Sequence, residues 1–502
     1  MLESLWSTTS QLPRFPPLED DIAVDVAIVG AGITGVSIAY LLKEAGKRVA
    51  LLELGRIGQG TTGHTTAKLT VGQSLIYGRM RAAHGQEAAR LYAESNQAAI
   101  AQMRELVSGE RIDCDWEQAS NYVYTESSAG LGQLEDELAA MREAGIAAEL
   151  TRQTDLPYPV AGAIRVDDQA QFHPLKYLAG LVSGLPGEGS HVFEATRARG
   201  VRGGETCVVE TTAGRVRADH VVVATQLPFL DRGLFFARAH PRKSYAVAAE
   251  VDAAAMPDGM YINVDEPTRS IRSAPGPGQS RFLIVGGESH HPGEDADRRY
   301  RALAAFMRER FDAEAALRWS AHDYMPADGL PYIGRMPRGD RNIFVATGFA
   351  KWGLTKATIA ARIVADAILG RPNPWAQLYD PGRLTLRASA RSLAAENAQV
   401  AWRFLGDRLR PRPGEAELRR LAPGAGAVVR MGAGHLAVFR DDAGVLHVLS
   451  ARCPHLGCLV GWSEADRSWE CPCHGSRFTA QGELVQGPAT EDLERRDLPA
   501  GR

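Results

Sequence analysis

Four residues near the end of the chain have the types and spacing to hold iron: Cys453 and His455 in one short segment, Cys471 and His474 in another. Two further cysteines, Cys458 and Cys473, lie in the same segments, CPHLGC and CPCHGS, so four of the six cysteines fall between positions 453 and 473. The other two, Cys114 and Cys207, stand apart and read as small buried apolar side chains. Cysteines and histidines clustered this tightly read as a metal or cluster site. With two thiolates on one iron and two neutral imidazoles on the other, a [2Fe–2S] centre is less negative than an all-thiolate one. It therefore takes up an electron more readily. The competing occupant is structural zinc; the HLGC and CHGS contexts favour the cluster, and zinc would leave the protein colourless.

A second pattern opens the chain. Val24–Val29 is a β-branched run suited to a buried strand, and GAGITG follows at once, with Gly30, Gly32, Ile33, Thr34 and Gly35. VSIAYLLKEAG then reads as a helix stopped at Gly46, and Val49–Leu52 as a second strand ending at Glu53. Glycines at that spacing let the backbone approach a pyrophosphate seated at a helix N-terminus, and the acidic residue accepts hydrogen bonds from ribose hydroxyls. Four further segments carry chemistry: GQGTTGHTTAKLT (58–70), HVVVAT (220–225), DGLPYIG (328–334) and GFAKWGLT (348–355).

The two cysteine segments resemble the Rieske proteins of respiratory and photosynthetic cytochrome complexes, differing mainly at Pro454, where threonine is usual. The resemblance implies Cys453, His455, Cys471 and His474 as ligands. It also implies a disulfide between Cys458 and Cys473, with a pair of free thiols as the alternative. Ser476 matches a serine whose hydroxyl bonds a cluster sulfide and raises the potential. Phe478 stands where those proteins carry a hydrogen-bonding tyrosine, which argues for an intermediate potential.

From about residue 22 to 370 the glycine-rich segments together resemble the D-amino-acid oxidase-like flavoproteins, which include glycine oxidase, sarcosine oxidase and dimethylglycine dehydrogenase. The resemblance implies FAD, with Gly60, Thr61 and Thr62 near the flavin and Ala224 and Thr225 beside the dinucleotide. Gly353, Leu354 and Thr355 would open a helix aimed at the flavin's pyrimidine end, where a helix N-terminus suits negative charge. TTGHTTA resembles the segment in which a histidine is joined covalently to FAD, so His64 either carries the flavin or only hydrogen-bonds near it. The lysine that pairs with the substrate carboxylate in sarcosine oxidase-like enzymes is absent. Thr355 sits near its place, with Lys351 and Lys356 flanking, so either Lys351 or Arg272 binds an amino-acid carboxylate or the substrate has none. Tyr245, Tyr261, His322 and Tyr324 are further candidates for a substrate pocket, although such residues are more often packed in a core, and no general base is assigned. No second dinucleotide fingerprint is present, which argues against NAD(P)H as reductant.

The elements that must position these residues give an α/β fold: a Rossmann-like FAD-binding domain with an antiparallel-sheet substrate domain, plus a small all-β Rieske domain. The expected division is an N-terminal extension at 1–21, an FAD-dependent oxidoreductase domain at 22–370, a connector at 371–415 and the Rieske domain at 416–502. FAD-binding parts fall near 22–80, 165–230 and 325–370, with substrate-binding parts between. Residues 81–142 read as mostly helical. Of 502 residues, 45% are hydrophobic and 23% charged, with a net charge of -3, so nucleic acid is not an expected partner. No membrane-length apolar run and no signal peptide are seen, which makes the cytoplasm the default location.

These features point to oxidation of a small amine or amino acid by FAD, with electrons passing through the cluster to an external one-electron acceptor. The alternatives are an oxygen-using oxidase with a structural cluster, or an electron-transfer module serving a partner enzyme. A ring-hydroxylating oxygenase is disfavoured because no set of two histidines and a carboxylate for mononuclear iron stands out.

Overall fold

A computed structural model of the chain describes residues 3–497 apart from positions 231, 294–295, 384, 410–417, 419 and 433. The expected boundary at 415/416 and the chain ends at 1–2 and 498–502 lie outside the described residues.

The β-branched run Ile22–Val29 lies at the centre of the first sheet. It pairs in parallel with Val49–Leu52 on one side and Arg215–Val223 on the other. Ile343–Thr347 and His191–Phe193 extend the sheet outward, also in parallel. Val29 is level with both Leu52 and Val223, so the three strands end together and their following loops converge at one edge. Chain order reverses across Ile22–Val29, which places a crevice beyond the carboxyl ends of the strands. Helices Ile33–Glu44 and Gly353–Ile368 pack against each other and bury Val36, Ile38, Leu42, Ala357, Ile359 and Ala360. The valine, isoleucine and leucine side chains among these each contribute about 1.5–3 kcal/mol when fully buried. That burial holds both helix N-termini at the crevice.

The second sheet is largely antiparallel. Its spatial order is Leu317–Pro326, Ala239–Asp252, Ser280–His290, Arg269–Pro275, Met260–Asn263, Glu117–Thr125, Gly162–Gln171 and Lys68–Leu69. One stretch departs from the sequence reading. The region 81–142 does contain helices Gln86–Gly109 and Leu131–Glu143, but between them Glu117–Thr125 is a strand of this sheet. Its buried core, Tyr122-Val123-Tyr124, is made of strong strand formers; the polar residues around it hide the alternation.

The last part of the chain forms two small antiparallel sheets. One comprises Gly426–Met431, Gly434–Arg440 and Leu446–Ser450. The other comprises Gly461–Ser463, Ser468–Glu470, Arg477–Thr479 and Leu484–Gln486. Ahead of them runs the long helix Leu386–Leu409. Asn397 Nδ2 on this helix donates to Ala237 O at 3.0 Å, and Arg408 donates to Gly457 O at 2.7 Å, so the helix touches both the larger unit and the small terminal one. The whole is a mixed α/β fold with a small all-β domain at its end. Among the described residues no helix is long and apolar enough to cross a membrane.

Candidate active site and metal centre

The loops at the carboxyl ends of the first sheet enclose a cavity of about 920 Å³. Gly30, Gly32, Ile33, Thr34, Glu53, Gly60, Thr61, Thr62, His64, Ala224, Thr225, Gly353 and Leu354 all line it. The glycines are dictated by close backbone approach. Gly30 has φ +103°, and a Cβ there would lie 2.6 Å from Ala224 O; a Cβ on Gly35 would lie 1.9 Å from Gly30 O. Gly35 therefore fixes the turn from behind the wall. Ile33 N at the opening of helix Ile33–Glu44 donates to Thr62 Oγ1 at 3.0 Å, which ties the first two motifs together. Glu53 accepts from Ala31 N at 2.8 Å and from Gly55 N at 3.0 Å. Burial raises its carboxyl above the usual range, and these two amides oppose that. This backbone cradle, with an acidic group at its rim and two helix N-termini beside it, fits a dinucleotide.

Thr355 lies one step behind the wall: it is buried and bonds to Gln73 and Trp352 O. Lys356, deeper still, donates to Asn96 Oδ1 at 2.5 Å and stands 4.0 Å from the Tyr92 ring centroid. Lys351 does face the cavity. Its backbone N donates to Asp323 Oδ2 at 2.5 Å, holding Ala350 and Lys351 in left-handed conformations with φ of 52° and 72°. The surrounding protein pulls the Lys351 ammonium down to about 8, and burial pushes Asp323 up to about 6.

His64 Nδ1 lies 2.9 Å from Gly60 O. The segment around His64 is braced by residues that sequence reasoning left as a featureless extension. The short helix Leu5–Thr8 is buried at Leu5 and Trp6; Ser4 Oγ donates to Gly63 O, and Trp6 Nε1 donates to Thr65 O at 2.7 Å. The only sequence signal for this was an apolar Leu-Trp pair in a polar leader.

Four candidates for the substrate pocket do not reach the cavity. Arg272 is 1% exposed and donates to the carbonyls of Thr66, Ala67, Phe172 and Ser273. With its donors taken up this way it supports the flavin loop from behind rather than meeting a carboxylate. Tyr245 stacks on His290, with its hydroxyl 2.8 Å from Nε2. His322 is fully buried against the last domain, its Nδ1 3.1 Å from Gly475 O. Tyr261 is also buried, and its carbonyl accepts from Lys68 Nζ at 3.0 Å. Burial pulls Lys68 down to about 7.

The cysteine segments meet as two loops. Cys458 and Cys473 are joined by a disulfide with Cα atoms 6.5 Å apart. The Sγ atoms of Cys458, Cys471 and Cys473 lie within 4.8 Å of one another, but the disulfide leaves only Cys471 of these three with a thiol. Cys453 is buried in the same core cluster as Cys471. The His455 and His474 rings stand 4.9 Å apart at 89°. His474 Nδ1 is buried without a hydrogen-bond partner, an arrangement that suits a metal-bound nitrogen. Two thiols and two imidazoles thus converge in a site that fits a [2Fe–2S] cluster of mixed ligation. Ser476 is fully buried; its Oγ accepts from Ala489 N at 3.1 Å, leaving the hydroxyl proton to donate. Phe478 sits in the core of this domain, level with Trp469.

The histidine-bearing face is docked on the larger unit. Phe236 packs edge-on against both rings, with centroids 6.2 Å from His455 and 5.7 Å from His474. Tyr324 lines the cavity, and its hydroxyl donates to His474 O at 2.9 Å. A buried ionic group seals the seam. Lys243 Nζ bonds to Asp466 and, at 2.6 Å, to Glu470. Arg477 lies 3.5 Å from Glu470, and Tyr300 donates to Asp466 at 2.9 Å.

Comparison with known proteins decides the family. The FAD dependent oxidoreductase (DAO) family matches residues 25–367 and the Rieske [2Fe-2S] domain matches residues 415–496. The chain belongs to the DAO family of FAD dependent oxidoreductases. It is an oxidoreductase that carries FAD and, in its Rieske domain, a 2Fe-2S cluster. It is 35% identical over 503 residues to YhfW of Bacillus subtilis (strain 168), named for a Rieske 2Fe-2S iron-sulfur protein, with 99% of this chain and 98% of that one covered. Gamma-glutamylputrescine oxidoreductase of Escherichia coli (strain K12) is 24% identical, covering 80% of this chain and 97% of its own length. Among solved structures, glycine oxidase from Geobacillus kaustophilus superposes with a TM-score of 0.60 at 21% identity, over 72% of this chain and 99% of that one.

Proposed function

We propose that this DAO-family protein is a dehydrogenase for a small amine or amino acid, whose electrons leave through the Rieske cluster to an external one-electron acceptor. The observation that carries the reading is Tyr324, which lines the flavin cavity and hydrogen-bonds the backbone of the cluster ligand His474. One side chain therefore spans the distance between the two redox sites. FAD supplies two-electron oxidation of a C–H bond next to nitrogen, and the cluster supplies one-electron transfer. The names of gamma-glutamylputrescine oxidoreductase and glycine oxidase support nitrogen-bearing substrates.

The chain's own residues have separable roles in this reading. Gly30, Gly32 and the two helix N-termini hold the dinucleotide. Lys351, charged below about pH 8, faces the cavity as the group to meet a substrate carboxylate. Asp323 fixes the backbone that presents Lys351, while its neighbour Tyr324 bonds the backbone carbonyl of His474. An anaerobic screen of amines and amino acids tests the proposal, following flavin absorbance together with the electron paramagnetic resonance of the reduced cluster. The expected result is a substrate that bleaches the flavin and reduces the cluster in the same turnover. A substrate that bleaches the flavin and leaves the cluster oxidised would sink it.

A further inference from the structure

The wall of the flavin cavity is not drawn from the flavin domain alone. Thr479, Leu484, Gln486, Gly487, Ala489 and Thr490 of the Rieske domain line it, together with Glu53, Arg197 and Thr225. This segment is moored at both ends. On the cluster side, Ala489 N donates to Ser476 Oγ at 3.1 Å, and Ser476 belongs to the loop that carries Cys471 and His474. On the flavin side, Gln486 Nε2 donates to Gln226 Oε1 at 2.6 Å, and Gln226 in turn reaches Thr61 Oγ1 and His322 O. Arg197 pairs with Asp492 at 2.6 Å, and the same carboxylate oxygen accepts from Leu484 N at 2.8 Å.

We propose that the FAD site is a two-domain site, in which residues 479–490 of the Rieske domain form one wall and are ordered by the bound dinucleotide. The inference does not depend on the substrate or on the direction of electron flow. Its physical basis is linkage. A ligand held between two docked units stabilises their docked state, and the docked state retains the ligand, by the same factor. The chemistry on the wall suits the adenosine half of a dinucleotide: two apolar residues, Leu484 and Ala489, beside amide and hydroxyl groups from Gln486, Thr479 and Thr490. It is set on the side of the cavity where Glu53 and Arg197 stand.

Hydrogen exchange measured by mass spectrometry on the full chain tests this. FAD-loaded protein is compared with protein made in riboflavin-starved cells, a comparison that holds whether or not His64 carries the flavin covalently. Amides in 484–490 are expected to exchange at least threefold more slowly in the loaded protein. In Gln486→Ala loaded with FAD they are expected to exchange about threefold to tenfold faster than in wild type, the range set by losing one hydrogen bond. The cluster absorbance serves as the check that the variant is folded. Equal exchange of 484–490 in loaded and flavin-free protein would overturn the proposal. So would protection on loading that is confined to residues 30–64.

Discussion

Replacing Lys243 by methionine probes how the two redox domains are held together. Its ammonium is 1% exposed and lies between Asp466 and Glu470, each 2% exposed. Methionine keeps most of the side-chain volume and removes the charge, leaving two carboxylates in a dry seam. Breaking a buried pair from one side costs about 3–5 kcal/mol. Arg477, 3.5 Å from Glu470 and 4.0 Å from Asp466, offsets part of that, which places the expected loss near about 3 kcal/mol, or roughly a hundredfold in the undocking equilibrium. The assay is a urea titration read by flavin and cluster absorbance in parallel, with hydrogen exchange over 463–477. The seam should open at lower urea than wild type, ahead of the flavin domain's own core. Adding Asp466→Asn and Glu470→Gln to Lys243→Met should recover part of the loss, because replacing every charge of a buried group is far milder than removing one. A single Lys243→Met variant within about 1 kcal/mol of wild type would refute the reasoning, since it would mean that the seam does not depend on this group.

Three more outcomes follow from the same contacts. Tyr324→Phe leaves His474 O without its donor, a loss of about 1–3 kcal/mol for a buried carbonyl; flavin bleaching by substrate should persist while cluster reduction in stopped flow slows, and an unchanged cluster rate would remove Tyr324 from the path. For a substrate with a carboxylate, affinity should fall as pH rises through about 8, because the crowding of protein around the solvent-facing Lys351 lowers its ammonium to that value and the cation is lost above it; Lys351→Met should weaken binding below pH 8 and flatten the profile, measured by anaerobic flavin titration. Trp6→Phe removes the donor to Thr65 O beside His64, worth about 1 kcal/mol; retention of flavin on heating, or covalent yield if His64 is joined to it, should drop about fivefold.

The parts of this molecule that were readable from the sequence are those whose chemistry is local. Gly30, Gly32 and Gly35 follow a β-branched strand and precede a helix, so their role is written within a few positions of chain. Cys453, His455, Cys471 and His474 are likewise two short segments. What was not readable depends on pairings across long separations. Arg272 looked available for a carboxylate because a lone arginine in a strand carries no sign that backbone carbonyls at 66, 67 and 172 will surround it. Trp6 and Ser4 fall in what reads as a plain N-terminal extension because the loop they brace lies about sixty positions on. His322 and Tyr245 looked like pocket residues because aromatic and imidazole groups near a flavin motif suit a pocket equally well.

The seam between the domains explains why those last two residues lie where they do. Lys243 lies in the strand Ala239–Asp252, Asp466 in the turn after Gly461–Ser463, and Glu470 and Arg477 at facing ends of two short strands, all places where charged residues read as a solvated face. Only when the cluster's histidine face is turned inward do the four become a closed buried group, and that turn consumes the strand ends that carry Tyr245, His322 and Tyr324. A Rieske domain serving only as a freely exchanging shuttle would leave this face open and wet. Here Phe236 and Tyr324 occupy it, so the face that carries His474 is covered, whereas His455 is partly exposed and Leu456 beside it is 42% exposed.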